Sequence, residues 1–429
     1  MVRVLPKGRI GRRIAVGAGA LLIALACGAA VFFRPLPLPA APAFENLDAS
    51  VARGEYLALA GNCASCHSVP GQAAYAGGVP FRTDFGTIYS TNITADREHG
   101  IGAWSFADFY TAMKQGLRPD GTHLYPAFPY SYFAKLTDRD IASLYSYVQT
   151  IAPAPAEPRA NRMDFPFGER RLMHFWNRLF HRSEPFRARA GLSAEASRGA
   201  YLVESLAHCG ACHAPRNLLG GQSERAELTG GVHFDNVLTG EYKLWSAPNI
   251  TPAHTGLGGW DRAQILRYLS SGQNDHVVVD GPMNEVVMAS TRHLTPRDVE
   301  AIASYLVELE PAGGGRLWPF NGSNYDLGET VYTVHCGTCH LPDGKGDPTL
   351  GVSLAGNPVV QADDPASLIN IILYGPQLPP PPFAVNRSRM HPFGKRLPDE
   401  DVAAVATYLR QSFGNSAGSV SADDVEAQR

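Results

Sequence analysis

Three copies of one pentapeptide pattern constrain this 429-residue chain more than anything else in it: Cys63-Ala64-Ser65-Cys66-His67, Cys209-Gly210-Ala211-Cys212-His213 and Cys336-Gly337-Thr338-Cys339-His340. Two thiols at this spacing on a helix turn reach both vinyl groups of one haem, and the next residue points its imidazole at the iron. The pattern calls for three covalently bound haem c groups. Cys63, Cys66, Cys209, Cys212, Cys336 and Cys339 are the anchors, and His67, His213 and His340 are the proximal iron ligands. A zinc site would want two such pairs converging on one metal, and a disulfide needs no histidine beside it each time. Of the seven cysteines only Cys27 is left over.

A chain of this length suggests two to four domains, which suits one haem per domain. Forty-three Gly and 33 Pro point to long irregular loops between short helices. Hydrophobic content of 45 %, charged content of 18 % and a net charge of -3 are those of an ordinary globular protein and speak for no nucleic-acid partner. The chain also repeats itself. Arg53-Gly54-Glu55-Tyr56-Leu57, Arg198-Gly199-Ala200-Tyr201-Leu202 and Leu327-Gly328-Glu329 each stand shortly before a cysteine pair and predict a helix leading into it. Thr91-Asn92-Ile93-Thr94 with Trp104 and Pro248-Asn249-Ile250-Thr251 with Trp260 mark the first two units as duplicates. Thr137 with Asp140, Thr295 with Asp298, and the acidic run Pro398 to Asp401 read as starts of closing helices, which carry Tyr147, Tyr305 and Tyr408. A glycine in each opening helix facing an aromatic in each closing helix would let the two cross closely.

The units are placed at 45–155, 190–312 and 322–416. The linker 156–189 holds a basic, aromatic stretch from Arg162 to Phe186, expected to pack between units, with contact to a partner subunit or membrane surface as the alternative. The polar tail from Gly414 is expected to be mobile. At the N-terminus Arg3, Lys7, Arg9, Arg12 and Arg13 precede an uncharged run from Ile14 to Phe33. That order means export, and the run is long enough to span a bilayer. The expectation is an anchor at 14–33 holding the chain on the periplasmic face of the inner membrane. The alternatives are a signal cleaved near Ala40 to Ala43 or a lipid-modified Cys27, and all three put the bulk of the chain outside the cytoplasm.

A sixth iron ligand must come from elsewhere in each unit, commonly a methionine sulfur. Met390, before the closing helix of the third unit, is the candidate there. In the second unit Met283, in Asp280-Gly281-Pro282-Met283, is preferred over Met288 because a Gly-Pro turn would hold the sulfur rigidly. The first unit breaks the pattern. Its corresponding loop, Leu124 to Tyr130, offers Phe128, which cannot ligate iron. Met113, on a helix expected to begin near Ser105, is the preferred ligand; His123 or an open iron are the alternatives.

On these residues the chain resembles the three-haem cytochrome c subunits of membrane-associated bacterial dehydrogenases over roughly residues 45 to 416. Further points of likeness are Leu124 to Tyr130, Phe165-Pro166-Phe167, Phe175-Trp176-Asn177 and Ala406-Thr407-Tyr408-Leu409-Arg410. The resemblance implies a mainly α protein of three tandem cytochrome c-like domains with long irregular loops, preceded by an N-terminal apolar helix. It also implies a subunit that takes electrons from a dehydrogenase catalytic subunit oxidising alcohols, sugars, aldehydes or N-heterocycles and passes them to ubiquinone or a terminal oxidase. Within that family, Phe128 with Met113 in the preceding helix looks more like subunits serving molybdenum-containing aldehyde or N-heterocycle dehydrogenases than like the alcohol dehydrogenase type. A haem enzyme working at an open first iron and a self-contained quinone-oxidising module are the competing functional readings.

Overall fold

A computed structural model describes residues 40–222, 226–236, 240–313, 322–377 and 390–429. The apolar run 14–33 lies outside them, and among the described residues no helix is long and apolar enough to cross a membrane. In the first unit α1 (Val51–Ala60) leads into the Cys63–His67 turn, α2 (Phe106–Gln115) follows, and α3 (Asp138–Val148) closes. The linker carries α4 (Leu172–Phe180). The second unit repeats the plan with α5 (Ala194–Tyr201), continued by a π turn over Leu202–Leu206, then α6 (Arg262–Ser271), α7 (Pro282–Ala289) and α8 (Pro296–Glu308). The third has α9 (Gly322–His335), α10 (Ala366–Tyr374), α11 (Asp399–Gln411) and α12 (Ala422–Glu426). Strands β1 (Pro80–Thr83), β2 (Gly86–Tyr89) and β3 (Arg162–Met163) form one small antiparallel sheet, and β4 (Gly231–Asp235) pairs with β5 (Lys243–Ala247) in another.

Helix boundaries follow local chemistry. Thr137 Oγ1 accepts from Asp140 N–H at 3.2 Å and Thr295 Oγ1 from Asp298 N–H at 3.3 Å, as the capping pairs predict. The return arm is missing, because both aspartates are engaged elsewhere. Full capping boxes start α2 (Ser105 with Asp108) and α6 (Asp261 with Gln264), and Gly116 and Gly272 end those helices in the left-handed region that glycine tolerates.

The opening and closing helices of every unit cross at the glycine. A Cβ built on Gly54, Gly199 or Gly328 would stand 2.7 Å from the Cβ of Tyr147, Tyr305 or Tyr408 respectively, and closer still to the carbonyl of Ser143, Ala301 or Ala404. Only a hydrogen fits there. The tyrosine at the crossing is the tenth residue of all three closing helices.

Arg53 pairs with Asp140 at 2.6 Å and Arg198 with Asp298 at 2.8 Å, each inside its own unit. The same aspartates accept from a tyrosine of the other unit: Tyr56 Oη donates to Asp298 at 2.7 Å, and Tyr201 Oη donates to Asp140. Thr295 N–H and Thr137 N–H donate to those two tyrosine oxygens in turn, both at 3.2 Å. The first two units therefore face each other through one contact used twice. Accordingly they share a single hydrophobic core, running from Leu57 through Tyr201 to Leu306, while residues from Val331 to Val425 form a second core. In the third unit Leu327 and Thr330 occupy the places of Arg53 and Tyr56. That unit docks instead on β5, where Ser246 N–H donates to Ser367 Oγ at 2.9 Å and Asn370 Nδ2 to Leu244 O at 2.8 Å.

Two expectations need correction. The tail beyond Gly414 is held, not loose: Val420 and Val425 join the second core, Ala417 is buried, and Arg410 fixes the tail from within by donating to Gly418 O at 2.6 Å. Met283 is not in a loop but at the second position of α7, since Pro282 at the first helical position has no N–H to waste and a φ already suited to a helix.

Candidate functional site

Each motif histidine is gripped in the same way. His67 Nδ1 donates to Thr91 O at 2.7 Å, His213 Nδ1 to Pro248 O at 2.7 Å and His340 Nδ1 to Val352 O at 2.8 Å. Protonation of Nδ1 leaves the Nε2 lone pair free to bind iron and fixes the ring plane. Burial pushes the pKa of all three rings below the ordinary histidine value, so they stay neutral and able to ligate.

A glycine completes each grip. Gly77, Gly230 and Gly346, all with positive φ, donate their N–H to the carbonyl of His67, His213 and His340 at 2.8, 2.9 and 3.0 Å. A Cβ on Gly77 would lie 2.7 Å from Asn92 N, next to the carbonyl that accepts from His67. Asn92 and Asn249 tie down the accepting segments through their side chains, donating to Ala154 O at 2.8 Å and Ala312 O at 2.7 Å. The duplicated Asn-Ile-Thr segments thus fix the carbonyls that orient His67 and His213. These glycines escape notice in the sequence because they follow their histidines at unequal distances.

No disulfide joins any two of the six motif cysteines. Burial pushes Cys63, Cys66 and Cys209 up to about 12 and Cys336 up to about 11, so these four are not poised as thiolate nucleophiles. Among the described residues no group of three or more His, Cys, Asp or Glu side chains is arranged to hold a metal ion. One oriented imidazole and two cysteines beside apolar walls fit a covalent haem and fit a bare ion poorly.

A cavity of about 2400 Å³ opens over the first motif, lined by Cys63, Cys66, His67, Met113 and Phe128, and continues to Cys212 of the second motif. Cys66 and Cys212 thus line one continuous cavity. Met113 is buried on α2, facing that cavity. His123 does not line it; its Nδ1 meets Asn177 Nδ2 of α4 at 3.1 Å. Met283 packs at the edge of the first core, and Met390 at the edge of the second. Met288 sulfur accepts from Arg292 at 3.3 Å. The linker helix α4 packs between the units as expected, with Tyr130 Oη donating to Asn177 Oδ1 at 2.6 Å and Trp176 Nε1 to Leu219 O at 2.9 Å.

Comparison with known proteins matches residues 51–152 to the family described as cytochrome c, and residues 323–409 to the family described as cytochrome C oxidase, cbb3-type, subunit III. The chain is 37 % identical over 421 residues to the cytochrome c subunit of alcohol dehydrogenase (quinone) from Gluconobacter oxydans, covering 94 % of this chain and 86 % of that one. It is 38 % identical over 402 residues to the gluconate 2-dehydrogenase cytochrome c subunit of Pantoea cypripedii, covering 89 % and 90 %. It is 40 % identical over 373 residues to a nicotinate dehydrogenase subunit of Pseudomonas putida, covering 85 % of this chain but only 30 % of that longer protein.

Proposed function

Since this chain belongs to the cytochrome c subunits of bacterial dehydrogenases, we propose that it holds three haem c groups and relays electrons from a molybdenum-containing aldehyde or N-heterocycle dehydrogenase to ubiquinone or a terminal oxidase at the periplasmic face of the inner membrane. The chain is an electron-transfer subunit that works with a dehydrogenase. The observation that carries the count is the histidine grip, made three times with the same nitrogen and the same kind of acceptor. A bound haem c supplies a one-electron couple whose potential depends on its axial ligands and surroundings. The chain supplies the rest: thiols that anchor, a fixed imidazole, and apolar walls that keep water away.

Met113, Met283 and Met390 are the sixth ligands in this reading. Met113 is supported by its place on the wall of the cavity that also holds His67, while His123 is committed to α4. The molybdenum partner is supported by the Phe128 and Met113 combination and by the likeness to the nicotinate dehydrogenase protein. The likeness to alcohol and gluconate dehydrogenase subunits supports a second reading, in which the partner is a quinoprotein or flavin enzyme. Residues 14–33 are the proposed anchor. Co-purification from membranes with the catalytic subunit, followed by assay for molybdenum, flavin and quinone cofactor, decides between the two: bound molybdenum is expected, and flavin or quinone alone refutes the first reading.

A further inference from the structure

His233 and Trp245 oppose each other across the β4–β5 ladder, so their rings stand on one face of the hairpin. Both ring nitrogens of His233 and Nε1 of Trp245 are buried, and none of the three has a hydrogen-bond partner among the described residues. An unmet buried donor or acceptor costs about 1–3 kcal/mol, and native proteins seldom gather several in one patch. The patch borders the second ligand set. Trp245 covers Gly281, two residues before Met283, where an added Cβ would come within 2.9 Å of ring carbon Cε3. Arg216, three residues after His213, stands by His233 and donates to the carbonyls of Val232, at 3.4 Å, and Ala211. Burial, with Arg216 and His213 nearby, holds His233 down at about 4, so the ring is neutral and keeps one N–H to give.

We infer that His233 donates a hydrogen bond to a carboxylate of the haem anchored by Cys209, Cys212 and His213, with Trp245 Nε1 as a second donor on the same face. This rests on the haem reading above. Counted from the shared pairs Gly77-Gly78 and Gly230-Gly231, the first unit has Pro80 in this place and lacks this donor. A bare carboxylate near the iron favours the ferric form, and a hydrogen bond that spreads its charge favours the ferrous form. His233 is therefore a positioning residue that raises the potential of the second haem.

In the full-length holoprotein, spectroelectrochemical titration of His233→Phe is expected to show one of three midpoint potentials lowered. The same variant is expected to shift a carboxylate band in the reduced-minus-oxidised infrared difference spectrum. His233→Gln keeps a donor and is expected to stay nearer the wild type in both. Haem content by pyridine haemochrome separates the two levels of the argument, because fewer than three haems in the wild type overturns the haem count and not this assignment alone. Where His233→Phe fails to load its haem, His233→Leu takes its place. Three bound haems with potentials and carboxylate band unmoved overturn the assignment, as does an equal shift in the Phe and Gln variants.

Discussion

Replacing Gly54 by alanine sets two opposed effects against each other at one atom. Carbon atoms in contact sit about 3.5–4.0 Å apart, yet the new Cβ would stand 2.7 Å from Tyr147 Cβ and press on the Ser143 carbonyl. Relief requires α1 and α3 to separate by about 1 Å. Overpacking of this kind costs about 1–3 kcal/mol, and the upper end applies because backbone rather than a side-chain tip blocks the way. Alanine's preference for the helix returns about 1 kcal/mol. The expected net loss is about 2 kcal/mol. Gly259 is the control: nothing lies within 4 Å of its built Cβ, so alanine there should be neutral or slightly stabilising. Denaturant unfolding followed by circular dichroism, with amide exchange of α1 and α3 as the local readout, measures both. A Gly54→Ala protein with the wild-type midpoint and exchange rates, or an equal loss in Gly259→Ala, would refute the crossing argument. Gly199→Ala and Gly328→Ala should behave as Gly54→Ala does.

Tyr56→Phe and Tyr201→Phe should each weaken the contact between the first two units by about 1–2 kcal/mol, seen as faster amide exchange in α3 and α8 but not in α11. Burial alone would raise Asp298, but its bonds from Arg198 and Tyr56 prevail and hold it below the ordinary carboxylate range. That seam is therefore fully formed above about pH 4 and fails as the pH falls through the folded value, which the same exchange experiment in acid will report. Asp280, where the third unit's Gln377 N–H meets the second unit, is pushed by burial up to about 6. A raised carboxylate makes the folded state less stable as pH climbs from about 4 to 6. Asp280→Asn should remove that slope and gain about 2 kcal/mol at pH 8 relative to pH 4, and an unchanged slope in unfolding curves would refute it. Met113→Ala should turn one haem high-spin by electron paramagnetic resonance while His123→Ala leaves the spectrum alone; the reverse result would reassign the ligand.

Much of the helical frame is legible in the sequence, because it is written locally. Cysteine pairs, the glycine before each of them, Thr137 and Thr295 as caps, and the tyrosines of the closing helices sit within single helices or turns. The hairpins were not legible. Pro80 to Thr83 is short and includes a proline, and Asp84-Phe85 is not the usual composition of a tight turn. The glycines that bond the motif histidines lack a fixed spacing, and the tyrosine pairs join residues 242 and 61 positions apart, beyond any periodicity. The tail looked loose by composition, since the three apolar side chains that anchor it are scattered among polar ones.

Tyr56 and Tyr201 reach into each other's units as the two halves of a closed dimer do, each surface serving as both donor and acceptor. Such a contact needs no covalent join between the halves. Each half therefore carries the whole of the contact, so losing one tyrosine still leaves the other unit's tyrosine in place across the seam. Leu327 and Thr330 exclude the third unit from that symmetry, and it attaches by a different surface.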